Sequence, residues 1–157
     1  MPDTKASRKV VIGVIDDGIA FAHERFRLAD GTTRVEYWWL QDGIYSGPGG
    51  PGFPPIPDGS QYRKSQIDNF LYDSTHAGVI DEDEVYARAG LIDFRRHGHK
   101  TAAWRVAHGT HVMDLACGLD ATDPDINNRP IVAVQLPARI TADTSGAHLW
   151  YYAVNAI

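Results

Sequence analysis

The stretch "KVVIGVID", residues 9–16, is a short continuous run of mostly β-branched residues that an Asp-Asp-Gly sequence brings to an end. Because polar residues do not alternate with the apolar ones, the run predicts a strand buried on both faces, which is typical of parallel sheets. A second run of this kind, "IVAVQL", occupies residues 131–136. Such strands with helices between them predict an α/β fold with a parallel sheet.

The remaining elements of the first two thirds of the chain follow from turn signals and hydrophobic periodicity. They are a strand at 34–41, a Gly- and Pro-rich loop at 43–59, a helix at 65–73 opened by Ser65 and Asp68 at capping-box spacing, and a helix at 81–90 with acidic residues in its first turn.

Two later helices are predicted to be amphipathic. One runs from Gly109 to about Leu119, and the other opens near Thr144. Their apolar residues recur three and four positions apart, so each helix is expected to bury one face. The predicted faces are Val112, Leu115, Ala116 and Leu119 in the first helix, and Trp150, Ala153, Val154 and Ile157 in the second.

The composition is that of an ordinary globular protein and excludes several classes of function. The chain has 157 residues, 43% of them apolar, and a formal net charge of -5 without a long basic cluster, so no nucleic-acid partner is expected. No apolar run reaches the roughly 20 residues of a transmembrane helix, and no secretory signal is present, so the chain as written predicts a cytoplasmic protein without a membrane partner. The single cysteine, Cys117, is expected to be a small buried residue.

Asp16 directly follows the first predicted strand. Open α/β sheets bind ligands at the carboxyl ends of their strands, so a carboxylate at this position is a candidate functional group. Asp and Gly are also favoured in turns for purely local reasons, and a simple turn is the alternative interpretation. The stretch alone leaves both interpretations open.

The sequence "VAHGTHVMDLACG", residues 106–118, contains the second candidate group. His108 lies at the predicted start of a helix, where the helix dipole disfavours imidazolium, so this histidine is expected to stay neutral and able to accept a proton. One alternative is a metal site formed by His108, His111 and Asp114, although the helical zinc motif spaces its histidines four apart around a Glu. The other alternative is a purely structural helix start with a capping Thr110 and a buried His111.

Taken together and in this order, "VIDDGI" and "HGTHVMDLACG" resemble the subtilisin-like serine peptidases, the subtilases. The resemblance implies that Asp16 is the orienting carboxylate and His108 the general base of an Asp-His-Ser triad. Gly109 matches the glycine that follows the family's histidine. The implied fold is a subtilisin-like α/β fold of which residues 1–157 are the amino-terminal part, with the carboxy-terminal half absent. Asp17 stands where one branch of the family has an acid, and is expected to contribute weakly to binding basic residues of a polypeptide substrate.

The spacing between Asp16 and His108 is much longer than is usual in that family. We interpret residues 34–100, with the Gly- and Pro-rich loop and two helices, as an inserted subdomain. Its aromatic residues are expected to form a small separate core or, alternatively, to line a binding surface near the substrate cleft. His97 and His99 in "HGH" are expected to lie in a solvated loop and not to bind a metal.

The chain also lacks the Gly-Thr-Ser stretch in which the family places its nucleophile. No serine has that context, whether Ser7, Ser46, Ser60, Ser65, Ser74 or Ser145. An Asp-His pair without a nucleophile and oxyanion donors cannot perform acyl transfer. The complete protein is therefore expected to be a serine endopeptidase, and this chain alone is expected to be inactive.

Two other functions stay open. One is a truncated or degenerate subtilase that binds a protein partner, or a second copy of itself through an exposed sheet edge. The other is a metal-dependent hydrolase that uses His108 and His111. No cofactor is expected, and the structural calcium that the family often binds has no assignable site. The cellular location also stays open, because members of the family are commonly exported.

Overall fold

A four-stranded sheet forms the centre of the computed structural model, which describes residues 9–41, 59–92, 107–137, 140 and 145–157. In spatial order, its strands are β1 (Ile12–Asp16), β6 (Ile131–Gln135), β2 (Val35–Leu40) and β3 (Ser60–Arg63). Strand β6 is parallel to both of its neighbours, and β3 is antiparallel to β2. The predicted α/β fold is confirmed in its main feature, a mixed architecture with a mostly parallel sheet.

Four helices and a small hairpin accompany the sheet in the described ranges. The helices are α1 (Lys64–Asp73), α2 (Glu82–Arg88), α3 (His108–Cys117) and α4 (Ala147–Asn155), and the hairpin consists of β4 (Thr75–His76) and β5 (Val79–Ile80). None of the helices in these ranges combines the length and the apolar character that a membrane crossing requires.

The start of α1 differs from the prediction, whereas α2 begins as predicted with acidic residues in its first turn. Ser65 is not the capping residue, because the backbone N–H of Arg63 donates to the side-chain oxygen of Gln66 (3.0 Å) and the helix begins one residue earlier. Asp68 instead accepts a hydrogen bond from the backbone N–H of Thr33 (2.7 Å). That bond ties α1 to the segment that leads into β2.

The core lies on one face of the sheet. On that face, Ala133 of β6 lies between Val14 of β1 and Trp38 of β2. Each of these three residues is at most 5% exposed. The ring of Phe21 packs on that of Trp38 with their centroids 4.2 Å apart, and α3 adds Met113 to the same cluster. Burial of this apolar surface is the main driving force for the fold, and it holds α3 against β1.

The opposite face of the sheet is only partly covered by the described residues. Ile15 is 39% exposed and Tyr37 is 44% exposed. Strand β6 is buried along most of its length, but within β1 only Val14 is buried, so the prediction that β1 is buried on both faces is wrong for the described part of the chain. In the same part of the chain, β1 has a neighbouring strand on one side only, and it forms an edge of the sheet.

The range 34–100, predicted to be an inserted subdomain, contributes β2 and β3 to the central sheet. Among the described residues of this range, the aromatic side chains do not form a separate core, because Trp38 lies in the main core and Tyr62 stacks on it with ring centroids 5.6 Å apart. The predicted loop around His97 and His99 lies outside the described residues, as does most of the Gly- and Pro-rich stretch. The boundaries of the insertion stay a prediction.

Helix α3 is rotated about its axis relative to the predicted face. It buries Gly109, Met113 and Cys117, which are four residues apart, while Leu115 is 90% exposed. Periodicity alone does not separate two neighbouring apolar stripes on one helix. The stripe that is buried is the one whose first member, Gly109, lets the helix come close to the loop after β1.

Helix α4 buries Tyr152 and not the predicted face. Trp150 and Val154 are more than half exposed, and Ile157 is fully exposed. The backbone carbonyl of Tyr152 accepts a hydrogen bond from the side-chain amide of Gln41 (3.0 Å), which orients that side of the helix towards the end of β2. The predicted start near Thr144 lies outside the described residues.

Candidate active site

The site brings together the last residue of β1 and the first residue of α3. The Nδ1 atom of His108 lies 2.8 Å from Oδ1 of Asp16, which is a hydrogen-bond distance. The Asp16 side chain is 17% exposed, whereas that of His108 is 67% exposed. When the imidazole is neutral, this arrangement favours the tautomer with its proton on Nδ1, and the Nε2 lone pair is then free to accept a proton.

Asp16 is held from two directions. Its backbone carbonyl accepts a hydrogen bond from the N–H of Leu136 (2.8 Å), which continues the pairing of β1 with β6 one residue past the end of β6. Its Oδ1 atom also accepts from the backbone N–H of Asp17 (2.8 Å). The sheet and the local turn thus fix both the position and the direction of the carboxylate.

Helix α3 begins without a side-chain cap, and the loop after β1 takes the place of one. The N–H of Gly109 donates to the carbonyl of Asp17 (2.7 Å), and that of Thr110 donates to the carbonyl of Gly18 (3.2 Å). The first N–H groups of a helix have no acceptor within the helix, so these loop carbonyls complete its first turn. Only glycine fits at 109, because an added Cβ atom would lie 2.1 Å from the carbonyl oxygen of Asp17.

The pKa of His108 is raised above its ordinary value, first by the hydrogen bond to Asp16 and then by the charge of the same carboxylate. The prediction that the helix terminus keeps this imidazole neutral therefore has the wrong direction. A carboxylate at hydrogen-bond distance outweighs the partial charge at a helix end. The pair favours imidazolium, which is the form that His108 has after it accepts a proton.

Asp17 lies beside this pair and is partly buried. Burial raises the pKa of its carboxyl group, and the neighbouring carboxylate of Asp16 raises that pKa further. The potential ligand atoms of Asp16, Asp17 and His108 all lie within 4.8 Å of one another, so among the described residues these three could share a metal ion. The weak role of Asp17 in binding basic substrate residues stays a prediction.

The metal site suggested by the three-residue spacing is not formed by the described residues. Asp114 forms an ion pair with Arg25, and neither Asp114 nor His111 belongs to the group around Asp16. His111 is exposed, so its interpretation as a buried core residue is wrong as well. Thr110, by contrast, is half-buried and bonded to the loop after β1.

Sequence reasoning missed the two arginines that hold the carboxyl end of α3. The buried guanidinium of Arg34 donates to the carbonyls of Cys117 (2.8 Å) and Arg129 (2.9 Å). Arg25 donates to the carbonyl of Gly118 (3.3 Å). Cationic groups are favourable at a helix C-terminus, because the carbonyls there have no partner within the helix. The signal in the sequence was an arginine directly before the apolar run that forms β2.

Cys117 is buried, as predicted. Its Sγ atom contacts the backbone carbonyl of Met113 (3.1 Å), and burial raises the pKa of the thiol to about 11. A thiol with such a pKa carries very little thiolate at neutral pH, and the thiolate is the reactive form. Cys117 therefore packs α3 against the core and has the properties of a structural residue.

Comparisons with known proteins give distant structural similarity only. No family model matches the sequence, and no curated protein matches it. The structure of the Clostridium perfringens CspB protease is similar over 83% of this chain, with 22% sequence identity and a TM-score of 0.48. The matched region is 21% of the length of that protease chain.

Proposed function

We propose that Asp16 and His108 are the orienting carboxylate and the general base of a subtilisin-like serine endopeptidase. The observation that carries the proposal is the 2.8 Å hydrogen bond between His108 Nδ1 and Asp16 Oδ1, on an imidazole whose side chain is mostly exposed. The two sequence motifs around these residues, which resemble those of the subtilases, support the choice of family. The substrate would be a polypeptide.

Each member of the pair would have a separate role in the reaction. His108 would take the proton of a serine hydroxyl at Nε2 and return it to the leaving amine, while Asp16 would keep the ring in the required tautomer and stabilise the imidazolium. The raised pKa of His108 has the sign that this role requires, because the carboxylate stabilises the protonated ring.

The nucleophilic serine would come from polypeptide outside this chain. Among the described residues, the hydrogen-bond partner of His108 is Asp16, and Ser60 and Ser74 are buried in β3 and after α1. Removing the nucleophile from such a triad costs about 10⁶-fold in turnover. The chain by itself is therefore expected to be inactive.

The test starts from the coding sequence, read in frame beyond residue 157, and uses the full-length product. Hydrolysis of a fluorogenic peptide and labelling by a serine-directed phosphonate are measured together. We expect His108→Ala to lower kcat by about 10⁶-fold and Asp16→Asn by about 10⁴-fold, since the first removes the base and the second removes its orientation. His111→Ala, which changes an exposed histidine of the same helix, is the matched control and should leave kcat unchanged.

Two results would contradict the proposal. One is a His108→Ala protein that keeps its turnover. The other is a reading frame that ends without a nucleophile and whose product neither hydrolyses peptides nor reacts with the phosphonate. The second result would leave the protein-binding alternative as the better interpretation.

A further inference from the structure

The side chain of Thr110 bridges two peptide groups of the loop that follows β1. Its Oγ1 atom donates to the carbonyl of Gly18 (2.6 Å) and accepts from the backbone N–H of Ala20 (2.8 Å). These partners lie 92 and 90 residues away along the chain. One hydroxyl thus joins α3 to both sides of Ile19.

This bridge completes a set of bonds that encloses the loop. The backbone N–H groups of Gly109 and Thr110 donate to the loop from α3. On the other side, the side-chain oxygen of the buried Gln135, at the end of β6, accepts from the backbone N–H of Ile19 (2.7 Å). The loop that directly follows Asp16 is therefore held between α3, which begins with His108, and β6.

The distance between the two catalytic candidates depends on this arrangement. His108 is two residues before Thr110, and the bonded carbonyl of Gly18 is two residues after Asp16. Hydrogen bonds between N–H donors and oxygen acceptors in proteins have donor–acceptor distances of about 2.7–3.2 Å. A shift of the helix start by about 1 Å would take His108 out of range of Asp16, and misplacements of that size can cost about 100-fold in rate.

We propose that Thr110 is a positioning residue that sets the tautomer of His108 by fixing the start of α3 against the loop after Asp16. The proposal rests on the function proposed above for the Asp16–His108 pair. Thr110 acts on His108 through the backbone of the loop, to which its hydroxyl is bonded. The position requires a group that donates and accepts through one atom, which serine also supplies and valine does not.

The side chain of Thr110 bonds to a different partner from the one expected for the third residue of a helix. It is the third residue of α3, where a side chain commonly reaches back to the N-cap residue of its own helix. The N-cap residue, Ala107, has no side-chain hydrogen bond, and the Thr110 hydroxyl bonds to the loop instead. The hydroxyl of Thr110 therefore fixes the position of α3 relative to the loop after β1, and it does not cap α3 itself.

The experiment compares Thr110→Val and Thr110→Ser in the 157-residue chain labelled with ¹⁵N-histidine. The ring ¹⁵N shifts, recorded at a pH where His108 is neutral, report which nitrogen carries the proton, and the signals of His108 are identified by their loss in His108→Ala. We expect the wild type and Thr110→Ser to favour the Nδ1–H form. Thr110→Val should shift His108 towards the tautomer mixture of a free imidazole.

Thr75→Val is the matched control for a purely structural loss. The hydroxyl of Thr75 donates to the carbonyl of Leu71 (2.7 Å), so this variant also loses a threonine-to-backbone bond. It should lower Tm without changing the His108 signals. If Thr110→Val keeps the wild-type tautomer, or if Thr75→Val shifts it equally, the proposal is overturned. If Thr110→Val does not fold, Thr110→Ser is the deciding variant. A Thr110→Ser protein with the wild-type tautomer of His108 supports the hydroxyl as the positioning group, and one with a shifted tautomer overturns the proposal.

Activity of the full-length protein separates a failure of this proposal from a failure of the proposed function. With both correct, Thr110→Val lowers kcat about 10- to 100-fold with little change in KM, and Thr110→Ser restores it. If Thr110→Val shifts the tautomer of His108 but the His108→Ala protein stays active, only the endopeptidase proposal is contradicted. If the His108→Ala protein is inactive but Thr110→Val changes neither the tautomer of His108 nor kcat, only the positioning proposal is contradicted.

Discussion

Helix α4 is richer in apolar residues than helix α3 but buries fewer of its residues. α3 buries Gly109, Met113 and Cys117, and both of its ends are bonded to other elements. α4 buries Tyr152, while Trp150 is 70% exposed. In the described part of the chain, Met113 and Cys117 of α3 belong to the main core cluster, and no residue of α4 does.

The difference shows what selects the buried face of a helix in this protein. In α3, loop carbonyls at the amino end and the guanidinium of Arg34 at the carboxyl end fix the rotation of the helix. Leu115, a member of the predicted face, is 90% exposed as a consequence. The polar contacts at the helix ends therefore decide which of two apolar stripes reaches the sheet. Four predictions test this comparison.

The largest effect is expected at the centre of the buried stripe. Met113→Ala should lower the free energy of unfolding by about 2–5 kcal/mol, because Met113 is fully buried and its truncation leaves a cavity. Leu115→Ala, two residues away and 90% exposed, should change it by at most about 0.5 kcal/mol. Urea unfolding of both variants measures the difference, and similar losses would mean that α3 buries the predicted face instead.

The second prediction concerns the amino end of α3. Gly109→Ala should destabilise the protein by about 1–3 kcal/mol, although alanine normally stabilises a helix by about 1 kcal/mol relative to glycine. The added Cβ would lie 2.1 Å from the carbonyl oxygen of Asp17, which is backbone and cannot move aside freely. Gly13→Ala in β1 is the control, since no atom lies within 4 Å of its Cβ position. A stabilised Gly109→Ala protein in urea unfolding would contradict the close approach.

The third prediction tests α4. Trp150→Ser should change the free energy of unfolding by no more than about 0.5 kcal/mol, despite the size of the side chain, because most of Trp150 is already in contact with water. The same urea titration applies. A loss comparable to that of Met113→Ala would show that some other surface covers α4 in solution and would remove the contrast between the helices.

The smallest effect on stability is expected from pH. Because the pKa of His108 is raised in the folded protein, its pair with Asp16 stabilises the fold below the ordinary histidine pKa of about 6.5. That contribution is lost as the pH rises through the raised pKa of the folded state. In an NMR titration of the His108 Cε1–H signal, Asp16→Asn should lower the pKa towards its ordinary value. An unchanged pKa would mean that the pair is not formed in solution.

The sequence predicted the elements that have strong local signals, including β1, β2, β6 and the helices α1 to α3. It did not predict β3, because "SQYR" at Ser60–Arg63 has neither alternation nor an apolar run and becomes a strand only by pairing with β2. The rotation of α3 was unpredictable for a related reason, since it depends on contacts between residues far apart in the chain. The motifs singled out Asp16 and His108, and the structure places them in hydrogen-bond contact, while the role of Thr110 depends on partners that no local pattern reveals.

The burial of Cys117 has a practical consequence for following motion in this protein. It is the single cysteine of the chain and lies on the last turn of the helix that begins with His108. A thiol reagent can modify it only after α3 separates from the core, so the labelling rate at low denaturant measures how often that separation occurs. Comparing this rate with that of global unfolding shows whether the candidate site opens alone or only together with the whole fold.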